Sequence, residues 1–385
     1  MRNTYIVGSG TTPVGEHWDT TLAQLATRAL ADARTELPPA PEALFVANAH
    51  APELAGQALL GAYLASAAQL GEIEAIRIEA GGASGGAALR QATLAVASGA
   101  YDIVAVLGVE KTTDLLDGAV EAALALELDG DWEAAAGLTL TAGWALLMHR
   151  YMHQYGYEAA DFVPFPVNAH RNAAANPQAQ YRSAIKPEQV LRSVPVAAPI
   201  VMLDSSTPAD GAAAVLVAAE HVARELDGPR VRIGGSAVAS GPHALHARSD
   251  LLWLSAVEAA SRRALRQANM RHDKVDVLDL SDQHAIVAAL ALEACGFAER
   301  GSAPRLAAEG AIARDGVLPL ATFGGCKARG DAGGALGVYQ VAELARQLRG
   351  EAGAAAVPDA RVAFALCLGG LGSTAAAHVL IREEN

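Results

Sequence analysis

Twice along this chain a glycine-rich turn runs directly into a helix. The first turn is Gly81-Gly82-Ala83-Ser84-Gly85-Gly86, ahead of a helical stretch over residues 87–98. The second is Gly324-Gly325-Cys326-Lys327-Ala328-Arg329-Gly330, ahead of a helix expected over about 334–348. Each helix region carries the same Gly-Ala-x-x step, Gly86-Ala87-Ala88-Leu89 and Gly334-Ala335-Leu336-Gly337. Around the first turn, short apolar runs at 4–7, 44–47, 75–78 and 103–107 alternate with helical patterns over 22–31 and 57–70. Around the second, strand patterns at 231–233, 275–280, 362–366 and 375–381 alternate with helical ones at 252–267 and 285–295. Strand, crossover helix, strand is the signature of βαβ units, so the expectation is two similar α/β halves around a largely parallel sheet.

The 385 residues are enough for two or three packed units, and 52% hydrophobic content excludes disorder as the dominant state. The formal net charge of −13 argues against coating nucleic acid or adhering to an anionic membrane surface, both of which need clustered cations. A small anionic ligand needs only a local basic patch. Three cysteines, Cys295, Cys326 and Cys367, are too few and too scattered for a disulfide framework, and none is spaced as a metal knuckle. No metal site is expected. His149 and His153 share a helix face without a third ligand in view. Residues 1–8 read as a first strand ending in Gly8-Ser9-Gly10, not as a signal peptide, and a cytoplasmic protein is expected.

Residues 112–194 differ from the rest. They are richer in His, Tyr, Asn and Gln, lack strong strand signals, and read as an inserted helical lobe. Within it run Asn168-Ala169-His170-Arg171-Asn172-Ala173 and Asn176-Pro177-Gln178-Ala179-Gln180-Tyr181-Arg182. Beyond it come Ala198-Pro199, Asp204-Ser205-Ser206 and Asp210-Gly211-Ala212-Ala213-Ala214. With Gly108-Val109-Glu110-Lys111 after a strand, the second glycine-rich turn, and Gly369-Gly370, this ordered set resembles the sterol-carrier-type thiolases over nearly the whole chain. The resemblance implies a five-layer αβαβα fold. Its N-terminal half would take residues 1–111 and 195–225, its inserted lobe 112–194, and its C-terminal half 226–385. It also implies a pantetheine tunnel, a homodimer, and a small zinc-ribbon and OB-fold partner protein. The implied substrate is an acyl-CoA, with CoA entering as part of it and no permanently bound cofactor.

The positions that would carry the family's chemistry are altered. The nucleophilic cysteine at the head of the first helix corresponds to Gly82, which cannot form an acyl-enzyme. The family's His or Asn after the strand 275–280 corresponds to Ser281, followed by Asp282, with His284 three residues on. The His of Gly-His-Pro corresponds to Asp331, while the Cys of Cys-x-Gly is kept as Cys367. The backbone N–H groups of Gly82 and Gly369 are the implied oxyanion donors, which act whatever the side chain. Asp331 reads either as a proton acceptor or as a carboxylate at a helix start. Cys367 reads as a catalytic thiol or a buried small hydrophobe, and Cys326 as the nearer alternative nucleophile. Arg182 and Lys186, with Arg171 and Arg192, read as a phosphate clamp or a solvated face. Phe323 and Gly324 stand where the tunnel would pass, with Phe323 either narrowing it or packing. Tyr339 reads as packing.

Three functions remain open on these residues. One is a carbon–carbon lyase working by retro-aldol or aldol chemistry on a β-hydroxyacyl-CoA. Another is a non-catalytic scaffold subunit for an OB-fold partner. The third is an acyltransferase with its nucleophile moved to Cys367 or Cys326.

Overall fold

The computed structural model describes residues 2–35 and 40–384. Met1 and Asn385, the outer ends of the two expected halves, lie outside the described residues. Among the described residues nine strands form one large sheet: β1 (Thr4–Thr11), β2 (Ala43–Ala47), β3 (Glu74–Ile78), β4 (Ile103–Glu110), β5 (Gly211–Ala219), β6 (Arg230–Ser240), β7 (Val277–Leu280), β8 (Val362–Gly369) and β9 (Thr374–Glu383). Their order is β3-β2-β4-β5-β1-β6-β9-β8-β7. One pattern occurs in it twice, back to back. From the centre outward, β1 is antiparallel to β5, β5 to β4, and β4 is parallel to β2. In the same way β6 is antiparallel to β9, β9 to β8, and β8 is parallel to β7. The two patterns join where Tyr5 and Ile6 of β1 pair with Arg232 and Val231 of β6.

The expectation of a largely parallel sheet is therefore corrected. Only β2–β3, β2–β4 and β8–β7 run parallel. A connection of four residues, Gly370 to Ser373, can join only antiparallel neighbours, which fixes β8 against β9. The first strand also runs on through Gly8-Ser9-Gly10, because its ladder with β5 continues as far as Thr11 opposite Ala213.

The helices that build the layers are α1 (Leu22–Ala33), α2 (Leu60–Ala67), α3 (Ser84–Ser98), α4 (Asp117–Leu124), α5 (Leu140–Tyr155), α6 (Pro164–Ala173), α7 (Ser255–Ala268), α8 (Ala285–Cys295) and α9 (Leu336–Arg349). Side chains alternate across each strand, so one strand feeds two apolar layers. In β4, Ile103, Ala105, Leu107 and Val109 meet Leu25 and Leu30 of α1 and Leu64 of α2. Val104 and Val106 of the same strand turn to the other face and meet Leu89 and Val96 of α3 and Val338 and Val341 of α9. That middle layer also receives Ala363 and Ala365 of β8. Phe364 and Leu366 of β8 face outward onto the third layer with Val257 of α7 and Leu290 of α8. Helices, one half of the sheet, helices, the other half of the sheet and helices make the five-layer αβαβα arrangement.

The two middle helices meet backbone to backbone. A Cβ on Gly85 would sit 2.7 Å from the amide nitrogen of Gly337, and one on Gly337 would collide with that of Gly86. This close approach accounts for Gly85 and Gly337, whereas Gly334, which opens the second Gly-Ala-x-x step, meets the backbone of Asn48 and Ala49 instead.

Between β4 and β5 lie α4, α5, α6 and a hairpin of Pro195–Ala197 with Ile200–Val201. A buried ion pair closes the neck of this insertion, with Lys111 Nζ 2.7 Å from Asp210 Oδ2. Asp210 also accepts the backbone N–H of Thr112 and Thr113 and the Thr113 hydroxyl. Glu110, fully buried, accepts from Asn48 Nδ2, Ala49 N and His50 N in one half and from Gly334 N in the other. The motif at 108–111 thus ties the halves together. Among the described residues no helix is long and apolar enough to cross a membrane.

Gly85→Ala forces a methyl into the crossing of α3 and α9, where only backbone could yield. Overpacking of this kind costs about 1–3 kcal/mol, so the denaturation midpoint should fall. An unchanged midpoint would remove the crossing as the reason for the glycine.

Candidate functional site

Gly81–Ala83 forms a single tight turn that opens into α3. Ser84 pins it: its hydroxyl accepts the N–H of Ala80 at 2.9 Å and donates to the carbonyl of Gly81 at 2.6 Å. The end of β8 packs against this turn, and a Cβ on Gly82 would lie 2.5 Å from the carbonyl oxygen of Leu368. The place a side chain would occupy at position 82 is filled by backbone.

Two amide groups converge in front of the turn, and both donate to one oxygen, Oε2 of Glu127. Gly370 N lies 2.6 Å from it and Gly82 N 3.3 Å. The amide that shares this oxygen with Gly82 is that of Gly370, one residue beyond the expected Gly369. Gly369 belongs to β8 and is paired with Thr374, whereas Gly370 has left the strand with φ of 57°. The other oxygen of Glu127 lies 3.1 Å from His50 Nε2, and the two side chains are 11% and 5% exposed. Burial alone would lower the His50 pKa, but the hydrogen bond and charge of Glu127, with the charges of Glu110 and Glu53, raise it above the usual value. A cavity of about 420 Å³ adjoins this group, lined by His50, Glu79, Gly81, Glu127, His243 and Gly370 among others.

Glu127 was missed by sequence reasoning. It stands in the run Ala122-Ala123-Leu124-Ala125-Leu126-Glu127-Leu128, where nothing but an acidic side chain in an apolar stretch marks it. It reaches the turn only because the insertion folds back over the head of α3.

Asp331 lies at the end of the second glycine-rich turn, half-buried. It accepts from the Ser206 hydroxyl at 3.0 Å and from Gly333 N at 3.1 Å. Burial pushes its carboxyl up to about 6, against the opposing pull of those hydrogen bonds and of Arg329, while the Glu127 charge adds to the rise. The turn Gly81–Ala83 packs against Gly333–Ala335, two residues beyond Asp331, while Asp331 itself is not among the residues that line the cavity beside Glu127.

The other sequence-derived candidates sit differently. Ser281 is fully buried and its hydroxyl accepts the N–H of Leu368 at 3.0 Å, shaping the end of β8. Cys367 is sealed among Ala83, Leu336, Ala376 and Cys326, with its sulfur against the crossing of Gly86 and Gly337. Burial pushes its thiol up to about 12. Cys326 is raised well above the usual range by burial and by the charges of Asp282 and Asp331, and its thiol donates to Asp282 at 2.8 Å. Cys295, also buried, is pushed up to about 12. His284 begins α8, and burial and the Lys327 charge drop it to about 3. Tyr339 is buried and donates to the carbonyl of Thr12 at 3.0 Å.

Arg182 and Lys186 are exposed on the insertion. Nearby, Arg171, Pro187 and Leu191 line a largely apolar cavity of about 370 Å³ between the insertion and residues 307–313. Phe323 packs on Ala352 and Ala355 under the Arg346 guanidinium. Gly324 turns with φ of 107° against Ala173 of α6, so it joins the second turn to the insertion.

Residues 4–196 match the model "Thiolase, N-terminal domain" and residues 237–382 match "Thiolase C-terminal domain-like". The chain belongs to the thiolase superfamily. It is 38% identical over 386 residues to "Acetyl-CoA acetyltransferase" of Methanothermobacter thermautotrophicus, covering 99% of this chain and 100% of that one. It is 28% identical over 282 residues to "Steroid side-chain-cleaving aldolase" of Thermomonospora curvata, covering 70% and 72%. The solved structure "Ltp2-ChsH2(DUF35) aldolase" superposes with a TM-score of 0.85 at 25% identity, over 98% of this chain and 97% of that one.

Gly82→Cys should not restore a working nucleophile, because its Cβ meets the Leu368 carbonyl. The expected outcome is a loss of about 1–3 kcal/mol in stability and no acetyl adduct at position 82 by mass spectrometry after incubation with acetyl-CoA. A stable adduct at unaltered stability would show that the turn has room for the side chain.

Proposed function

We propose that this protein acts on an acyl-CoA thioester and makes or breaks a carbon–carbon bond by an aldol or retro-aldol step, with no covalent acyl-enzyme. The observation that carries the reading is the pairing of two convergent amide donors with the absence of any usable sulfur. Position 82 has no space for a side chain, and the three thiols are buried and held protonated. A thioester enolate needs the donors but not the sulfur. The relatives and solved structure named as aldolases support the same chemistry.

In the cleavage direction, the Asp331 carboxylate takes the proton of the β-hydroxyl. The bond between the α- and β-carbons breaks, and its electron pair passes to the thioester, whose oxygen takes the negative charge. An aldehyde or ketone departs, water gives a proton to the α-carbon to form the shortened acyl-CoA, and the hydroxide left behind takes up the proton held by Asp331. A carboxyl poised near 6 suits a base working close to neutral pH.

An acyltransferase is the second reading, favoured by the name of the relative at 38% identity. It requires a thiolate at Cys367 or Cys326, and the burial of both weighs against it. A covalent acetyl group on either residue of the native protein would reverse that choice.

The exposed Arg182 and Lys186, beside the cavity that Arg171 and Leu191 line, support a CoA phosphate contact there. The free edge of β3, with Leu59, Tyr63 and Ile76 exposed around it, supports a homodimer paired at that edge. A solved relative whose name joins two components supports a small partner protein of zinc-ribbon and OB-fold type. Cytoplasmic residence is part of the same reading.

Release of aldehyde or ketone from β-hydroxyacyl-CoAs tests the function. Turnover should rise as pH increases through about 6, as Asp331 becomes deprotonated, and Asp331→Asn should lower it by about a hundredfold or more. An unaltered rate in that variant would reject Asp331 as the base. Arg182→Ala and Lys186→Ala should each weaken CoA binding severalfold in a salt-dependent way, read by calorimetry. Equal affinity in both would remove the phosphate contact.

A further inference from the structure

The amides that an incoming oxygen would need are already in use. Each N–H carries one hydrogen, and both hydrogens point at the same carboxylate oxygen of Glu127. The contact from Gly370, at 2.6 Å, is the short, charge-assisted kind. The carboxylate is not there by default of space, since the cavity of about 420 Å³ lies beside it. Nor is it held only by the amides, because His50 grips its second oxygen. A thioester oxygen could not share the position. It would find no free donor, and as an enolate it would face a like charge at contact distance.

We propose that Glu127 is the gate of the oxyanion donors: with its carboxylate on Gly82 and Gly370 the site is closed to any external oxygen, and it opens when the carboxylate withdraws toward the cavity, retained by His50. The carboxylate then stays with His50, off the two donors and out of contact with the reacting oxygen. Glu127 closes a short helical turn, Ala125–Glu127, that follows α4 in the insertion. A shift of that segment is therefore sufficient to open the gate, without movement of α3 or β8. Glu127 also becomes specificity-determining, since only a ligand whose oxygen replaces the carboxylate as acceptor restores the lost hydrogen bonds. The meaning of the gate for turnover rests on the thioester reading above, but its geometry does not.

Two measurements on the full-length protein separate these. In protein labelled with ¹⁵N-glycine, Glu127→Ala should move the amide resonances of Gly82 and Gly370, and added acetate should move them back toward their wild-type positions in that variant alone. Binding of acetyl-CoA and of CoA, which lacks the carbonyl, should then be compared by calorimetry. Glu127→Ala should bind acetyl-CoA about tenfold more tightly than wild type does, with CoA affinity unchanged. Glu127→Gln, which keeps the size and an acceptor oxygen, serves as a folded control and should fall between the two. Unmoved glycine amides in both variants would overturn the gate, as would equal or weaker acetyl-CoA binding alongside retained CoA binding. Amides that move and respond to acetate, in a protein that binds neither CoA nor acetyl-CoA, would uphold the gate and sink the thioester reading.

Discussion

Everything in this molecule is arranged around the place where two helices touch without side chains between them. Gly85, Gly86 and Gly337 let α3 and α9 meet at backbone distance. This draws the heads of both helices, the tight turns before them, and the end of β8 into one small volume. Gly82 belongs to the first turn, Asp331 to the second, and Gly370 to the connection after β8, so the candidate site is a direct consequence of the crossing. The glycines are thus a requirement of the site as much as of the core.

The same crowding decides what the cysteines can do. Cys367 lies on β8 with its side chain turned into the middle layer, where alternation along a strand leaves it no other direction. A thiolate there would be an unpaired charge in an apolar layer, which is costly to create. Asp331 shares the neighbourhood but sits at its rim, half-buried with a hydroxyl and an amide to steady it. Burial raises both groups, yet the carboxyl at about 6 remains usable near neutral pH and the thiol at about 12 does not.

The order of strands and helices and the two turns were legible because each has a local signature: period-two or period-3.6 apolar spacing, or a glycine cluster. The sheet's mixed direction was less so, since it depends on connection lengths and on β5 returning after a hundred-residue excursion. Phe323 illustrates a different limit. Its sequence neighbours are the glycines of the second turn, but its ring packs on Ala352 and Ala355 at the far end of α9, a contact without any sequence pattern. Gly370 in place of Gly369 turns on the single residue at which a strand ends, the least predictable feature of any element. Glu127 had no motif at all, because its importance comes from where a long insertion lands.

Glu127 also accounts for how the donors persist at a site with no sulfur before them. Amides buried without an acceptor are costly, and those at the head of a helix add the positive end of its dipole. A turn that has lost its anion would be expected to collapse or to fill with water. Here the insertion supplies an anion of its own, and the Leu368 carbonyl closes the side-chain space at position 82. The two replacements divide what one negatively charged side chain at position 82 could do together: one fills the volume, the other satisfies the charge. Because only the second is carried by a segment outside the sheets, only the second can be withdrawn. Opening the site then exchanges one oxygen acceptor for another, and its net cost stays small only when the arriving ligand brings a carbonyl or an anion to the same two amides.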